Sequence, residues 1–289
     1  ILAACQPIEN IDPTQTSSPS FTATSTIIPL TITPSSSPST ALPTSLPPSP
    51  SPTANCIFDG GQLEKASFSS QINEELLSYQ VYLPPCYSSH NEPTGYPVIY
   101  LLHGLLSDSD QWIRIGVAET MDALIADGAI PPTILVMPQE AHNLPPQSSQ
   151  FDDMLVQELI PWIDSVYDTR PEKAFRAIGG VSRGAGWAVR IGFENIELFT
   201  KVGAHSLPLF EADGGNITAW LIQTPKEDLP EVFIDIGRDD QEWQTAQTFA
   251  NQLDEANIPH EWYLFTGGHT ESYWRSHLEQ YLRWYTRNW

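Results

Sequence analysis

The pentapeptide Gly180-Val181-Ser182-Arg183-Gly184 constrains this chain more than any other feature. It follows a short apolar run, residues 174–179, and opens a helical pattern over 184–193. A chain passing from strand to helix with so little between them must turn sharply. A Cβ at position 180 or 184 would crowd that turn, and glycine stands at both. The turn lifts the Ser182 hydroxyl above the strand end. The helix that starts at Gly184 aims its free N–H groups at the same spot.

The rest of the pattern suits such a turn. Segments 62–70 and 76–83 alternate and have no helical period, so they read as an antiparallel pair. Residues 97–102 form a continuous apolar run, as a strand buried on both faces should, and end at His103-Gly104. A helix is expected over 117–127, closed by Gly128, and a buried strand over 133–137. Residues 152–167 are amphipathic, with Asp152 and Asp153 near the positive end of the dipole and Pro161 placed to kink the helix. Strands follow at 199–204 and 232–236, a helix at 242–256, a strand at 260–265 and a helix at 272–287. Strands alternating with helices predict an α/β protein, a mostly parallel sheet with helices on both faces. In such sheets the chemistry sits at the C-terminal strand ends.

None of this extends to the N-terminal quarter. From Pro13 to Phe58 there is no Asp, Glu, Lys, Arg or His, and the stretch is mostly Ser, Thr and Pro with scattered apolar residues. Such a stretch has too little to bury and reads as a linker. Before it, Leu2-Ala3-Ala4-Cys5 is similar to the end of a bacterial lipoprotein signal peptide, with Cys5 as the lipidated residue. The expected organisation is therefore residues 1–12 as the end of a signal with the lipidation site, 13–55 as a disordered linker, and 56–289 as one folded domain. The expected location is extracytoplasmic, with the membrane met through the lipid anchor only. Cys56 and Cys86 flank the first strand pair, and that address favours a disulfide between them over two free thiols. The formal net charge is −22, which repels nucleic acid and anionic headgroups, so no nucleic-acid partner is expected.

Ser182 needs a base to take its proton. His269, in Gly267-Gly268-His269, lies just past the last expected strand. His103 and His205 also end strands, where they either line a pocket or serve as hydrogen-bonded structural residues; the structural role suits His103 better than His205. The base in turn needs a carboxylate to hold its tautomer. The strand over 232–236 runs into Gly237-Arg238-Asp239-Asp240; Asp240 is favoured for this role over Asp239. Two backbone N–H groups are needed for a developing oxyanion. Arg183, after the serine, offers one, and Leu105, in the loop after 97–102, the other. No metal-ligand spacing, dinucleotide fingerprint or P-loop is present, and no cofactor is expected.

Taken together, Tyr100–Leu105 with Trp112, Ala177–Gly184, Gly237–Asp240 and Gly267–His269 with Trp274 resemble the esterase family that includes esterase D, bacterial feruloyl and acetyl-xylan esterases, enterochelin esterases and mycolyltransferases. The resemblance implies the α/β-hydrolase fold. It also implies Ser182, Asp240 and His269 as a catalytic triad, Gly180 and Gly184 as the nucleophile elbow, and Leu105 and Arg183 as oxyanion donors. Many members carry a second glycine after the elbow, where this chain has Ala185. Arg183 replaces a more usual Met or Gln, and its side chain is expected on a surface carboxylate rather than on an anionic substrate group. The expected activity is hydrolysis of carboxylic esters, small or polysaccharide-linked. Acyl transfer to a sugar or lipid hydroxyl is the alternative; a non-catalytic binding module is disfavoured by the intact triad set. Trp112, Trp243 and Trp274 are candidates for stacking on substrate, with core packing as the commoner use. Residues 206–217 read as either a cap over the acyl pocket or a surface loop.

Overall fold

The computed structural model describes residues 59–87 and 95–289. The expected lipidation site Cys5, the linker over 13–55 and Cys56 lie outside these residues. Cys86 is disulfide-bonded.

The antiparallel pair is β1 (Gln62–Ser69) and β2 (Leu76–Leu83). β3 (Val98–Leu102) leads to a short turn of helix, α1 (Gln111–Arg114), and then α2 (Val117–Ala126). β4 (Ile134–Pro138) precedes α3 (Phe151–Met154) and α4 (Ile160–Val166). Then come β5 (Arg176–Val181), α5 (Arg183–Glu194), β6 (Lys201–His205) and α6 (Asp213–Gln223). β7 (Glu231–Gly237), α7 (Trp243–Glu255), β8 (His260–Phe265) and α8 (Glu271–Thr286) complete the chain. The eight strands form one sheet in the order β1-β2-β4-β3-β5-β6-β7-β8. β2 pairs antiparallel with β4, and every pair from β4 to β8 is parallel.

Strand alternation divides the core between the two faces. Val98, Tyr100 and Leu102 face the side covered by α3 to α7, and Ile99 and Leu101 face α1, α2 and α8. β3, β4, β5 and β6 are buried along their whole length, because each has a neighbour on both edges and helices on both faces. The expected helix over 152–167 is interrupted. A π-helical turn, Leu155–Leu159, joins α3 to α4 immediately before Pro161. Proline has no N–H to donate and its ring crowds the carbonyl four residues back, so the wider turn accommodates it.

One buried polar cluster ties the sheet to α8. The Asp235 carboxylate, fully buried on β7, accepts from His205 Nδ1 at 2.6 Å and from the hydroxyls of Tyr273 and Tyr281, each at 2.7 Å. His205 Nε2 lies 2.9 Å from the Tyr285 hydroxyl, and its ring stacks on Tyr281 at 3.7 Å. Tyr285 reaches this position because β5 and β6 carry glycine beneath it: a Cβ at Gly179 or Gly203 would overlap its hydroxyl. His205 is thus a structural residue, although the sequence makes that role less expected for it than for His103. Burial, reinforced by the Asp235 charge, pushes the Tyr281 and Tyr285 phenols well above their ordinary range, so they stay neutral. Asp235→Ala would strand three buried donors, at about 1–3 kcal/mol each before relaxation. The expected loss is about 3–5 kcal/mol of stability, read from urea denaturation. A change below about 1 kcal/mol would show that the cluster contributes little.

Candidate active site

Ser182 occupies the turn between β5 and α5 with φ 53° and ψ −127°, a strained conformation for a residue with a side chain. The turn closes only because nothing protrudes from its flanks. A Cβ on Gly180 would overlap the Gly184 carbonyl group, and one on Gly184 would overlap the Leu102 carbonyl oxygen. Ala185, after the elbow, is fully buried without disturbing this arrangement. The Ser182 N–H donates to the His205 carbonyl at 2.9 Å, anchoring the turn to β6.

Ser182 Oγ lies 2.7 Å from His269 Nε2. On the other side of the ring, His269 Nδ1 lies 2.9 and 3.0 Å from the two carboxylate oxygens of Asp240. The His269 side chain is 24% exposed and the Asp240 side chain is fully buried, so the imidazole is reachable and the carboxylate is not. Asp239 points into solvent instead. The loops that carry acid and base are zipped together beyond the β7–β8 ladder: Arg238 N–H donates to the Phe265 carbonyl and Asp239 N–H to the Gly267 carbonyl, both at 2.9 Å. A Cβ at Gly237 would overlap the Gly267 carbonyl, so glycine allows the two loops to meet backbone to backbone.

Burial pushes the Asp240 carboxyl up, but hydrogen bonds from His269, the Glu242 N–H and the Ser206 hydroxyl, with the charge His269 can carry, hold it below its ordinary value. It is therefore an anion across the neutral range, oriented to accept from Nδ1–H. That leaves Nε2 with a lone pair toward the serine. Ser206 also accepts from the Trp274 indole at 3.0 Å, and Trp274 sets its edge against His269, with the ring centroids 5.3 Å apart.

The two expected oxyanion donors are free. Among the described residues the Leu105 and Arg183 N–H groups donate to no protein acceptor. The Leu105 loop is held from behind, since Gly104 N–H donates to Gln111 Oε1 at 2.7 Å and the Trp112 indole donates to the Leu102 carbonyl at 3.0 Å. Trp112 and Trp274 are buried and Trp243 packs against the core, so none of the three is a free stacking platform. Exposed apolar side chains do flank the site: Leu105 and Leu106 on the oxyanion loop and Leu144 after β4. The segment after Ser206 is no ordinary surface loop. Leu207 is fully buried, Phe210 packs edge-on against Trp187 of α5 at 5.1 Å, and Asp213 begins α6.

Arg183 pairs with a carboxylate, as expected, but not with one on the surface. Its carboxylate partner is Glu140, 3% exposed and not on the surface; Arg183 Nε donates to Glu140 Oε2 at 2.7 Å and Nη2 to Oε1. Glu140 was missed by sequence reasoning, although it stands two residues past β4, at the sheet end where functional groups gather. His103 is structural, as its better-suited reading had it. Burial holds its imidazole below the ordinary range, so it stays neutral, with Nδ1 donating to the Gly104 carbonyl at 2.8 Å and Nε2 accepting the Glu140 N–H at 2.9 Å.

Residues 69–285 match the family described as "Putative esterase". An endo-1,4-beta-xylanase/feruloyl esterase of Xylanibacter ruminicola is 31% identical over 190 residues, which cover 61% of this chain and 25% of that protein. An esterase of Mycobacterium tuberculosis is 30% identical over 153 residues, covering 49% of this chain and 31% of that protein. The chain thus spans about a quarter to a third of the length of the curated relatives it matches. Among solved structures, a ferulic acid esterase superimposes with a TM-score of 0.71 at 26% identity, covering 79% of this chain and 98% of that one.

Proposed function

Because this chain belongs to the esterase family that its residues 69–285 match, we propose that it is an extracytoplasmic serine esterase that hydrolyses carboxylic esters through an acyl-enzyme. The observation that carries this reading is the unbroken hydrogen-bond chain from Ser182 Oγ through His269 to the buried Asp240 carboxylate.

The reaction follows from that chain. His269 Nε2 takes the Ser182 proton as Oγ attacks the ester carbonyl carbon. Asp240 holds Nδ1–H and stabilises the imidazolium that forms. The Arg183 and Leu105 N–H groups donate to the carbonyl oxygen as it becomes an anion. Collapse breaks the bond to the alcohol, which leaves with the proton from Nε2. Water then enters, gives a proton to the same nitrogen and attacks the acyl-serine. The second collapse releases the acid, and the proton returns from Nε2 to Ser182.

For substrate we propose feruloyl or related acyl groups on polysaccharide. The feruloyl esterase names of the Xylanibacter relative and of the structural neighbour support the acyl class. The exposed Leu105, Leu106 and Leu144 suit an apolar acyl or aryl group beside the serine. The test is turnover of methyl hydroxycinnamates and p-nitrophenyl esters of graded length by the folded domain. Preference for methyl ferulate is expected; turnover of short acetyl esters alone would remove the feruloyl assignment. The extracytoplasmic part of the reading rests on Leu2–Cys5 and the uncharged stretch that follows. Recovery of the full chain in a soluble fraction, unchanged by Cys5→Ala, would remove it.

A further inference from the structure

The two oxyanion donors come from distant parts of the chain, one at the start of α5 and one in the loop after β3. The β3–β5 ladder registers these strands only as far as Leu102 opposite Gly180. Beyond it the Leu105 amide sits in a loop and the Arg183 amide at the first residue of α5, neither held by a strand ladder, and about 1 Å of misplacement between them can cost on the order of 10²-fold in rate. One short segment touches both halves. Toward α5, Glu140 forms a bidentate pair with the Arg183 guanidinium, and the Leu144 carbonyl accepts from the same guanidinium. The Trp187 indole gives Glu140 Oε2 a further donor at 3.0 Å. Toward the β3 loop, Glu140 N–H donates to His103 Nε2 at 2.9 Å, Gln139 Oε1 accepts the Ser109 N–H at 2.9 Å, and Asn143 Oδ1 accepts the Leu106 N–H at 3.2 Å.

We infer that residues 139–144 clamp the two halves of the oxyanion site in register, with Glu140 as the positioning residue and Asn143 as its outer tie. The inference rests on the esterase reading above. The chemistry fits registration better than stability. A buried ion pair gains little over apolar residues of the same volume, because both charges lose their water. A bidentate carboxylate does fix the plane and direction of a guanidinium. Here that guanidinium belongs to the residue whose own amide must face the oxyanion, and the carboxylate's own N–H is bonded to the other loop. Asn143, with φ 49°, holds a left-handed conformation that aims its side chain back at Leu106 N–H.

The test separates turnover from folding. Wild type, Glu140→Gln, Asn143→Gly and Asn143→Asp are titrated to completion with a fluorophosphonate, and kcat and KM are then measured per titrated site on the preferred ester. Glu140→Gln keeps the shape and loses the charged fork; its kcat per site should fall tenfold or more while KM stays within about threefold. Asn143→Gly keeps the backbone conformation and loses the tie, and kcat should fall several-fold. Asn143→Asp keeps the acceptor and should retain wild-type kcat. A clamp that is only structural would lower the number of titratable sites and leave turnover per site unchanged, and that result overturns the inference. If Glu140→Gln does not fold, the Asn143 pair decides: equal kcat in the Gly and Asp variants overturns it, and a loss confined to the Gly variant supports it. An active wild type beside an equally active Glu140→Gln defeats the clamp alone. A folded wild type with no turnover of any ester defeats the esterase reading and the clamp with it.

Discussion

Ser182→Ala should abolish turnover, with kcat falling by on the order of 10⁶-fold, and leave the fold intact. The hydroxyl oxygen forms the acyl bond, and no other side chain at the site can replace it. His269 Nε2 keeps its position without Ser182, because Asp240 and Trp274 hold the ring from two other directions. A residual rate over water should survive from the Arg183 and Leu105 donors, which the substitution does not touch. Stability should change by no more than about 0.5 kcal/mol, since among the described residues the Ser182 hydroxyl bonds only to His269 and alanine meets the same backbone conformation. The measurement is initial rate on the preferred ester beside a thermal melt of both proteins. Wild-type-like turnover in a folded alanine variant would end the assignment of Ser182 as nucleophile.

Asp240→Asn is expected to lower kcat by about 10⁴-fold at neutral pH, while Asp239→Asn stays within a few-fold of wild type. The asparagine amide turns an N–H toward His269 Nδ1, which must then accept. The ring proton moves to Nε2, where it faces Ser182 and blocks proton transfer. Ser206 and the Glu242 N–H, which donate to the carboxylate, hold the substituted side chain in the same place. The defect is thus one of tautomer and charge, with KM little changed. Asp239 is exposed and contributes its backbone N–H to the Gly267 carbonyl, a bond that asparagine retains. The opposite ranking of the two variants would move the acid to Asp239 and contradict the geometry.

Several features were legible without coordinates because they depend on local sterics and periodicity. The elbow is one: Gly180 and Gly184 are needed for the chain to turn at all, and that need is visible in five residues. The continuous apolar run of Val98–Leu102, buried on both faces, and the break next to Pro161 are of the same kind. His269 was found because it follows the last strand, and strand ends are where a parallel sheet exposes helix N-termini and loops.

Other features belong to tertiary structure alone. Asp239 and Asp240 are neighbours of one type in one loop. Which of them meets His269 is set by the zipping of the β7 loop onto the β8 loop, an arrangement without a local signature. From sequence, the Arg183 side chain has two readings, a surface carboxylate or an anionic substrate group, and the first is favoured. Its true partner is 43 residues upstream, buried with it by the packing of the segment after β4 against α5. His205 looked like a pocket residue because it ends a strand next to Ser206, until the space left by Gly179 and Gly203 admitted Tyr285 and the Asp235 cluster closed around the ring. Local pattern accounts for the layers, the turn and the nucleophile, since each follows from interactions within a few residues. Packing settles which carboxylate meets the base, that His205 is structural and what holds Arg183, because a charge finds its partner in space and the chain reaches that partner from far away.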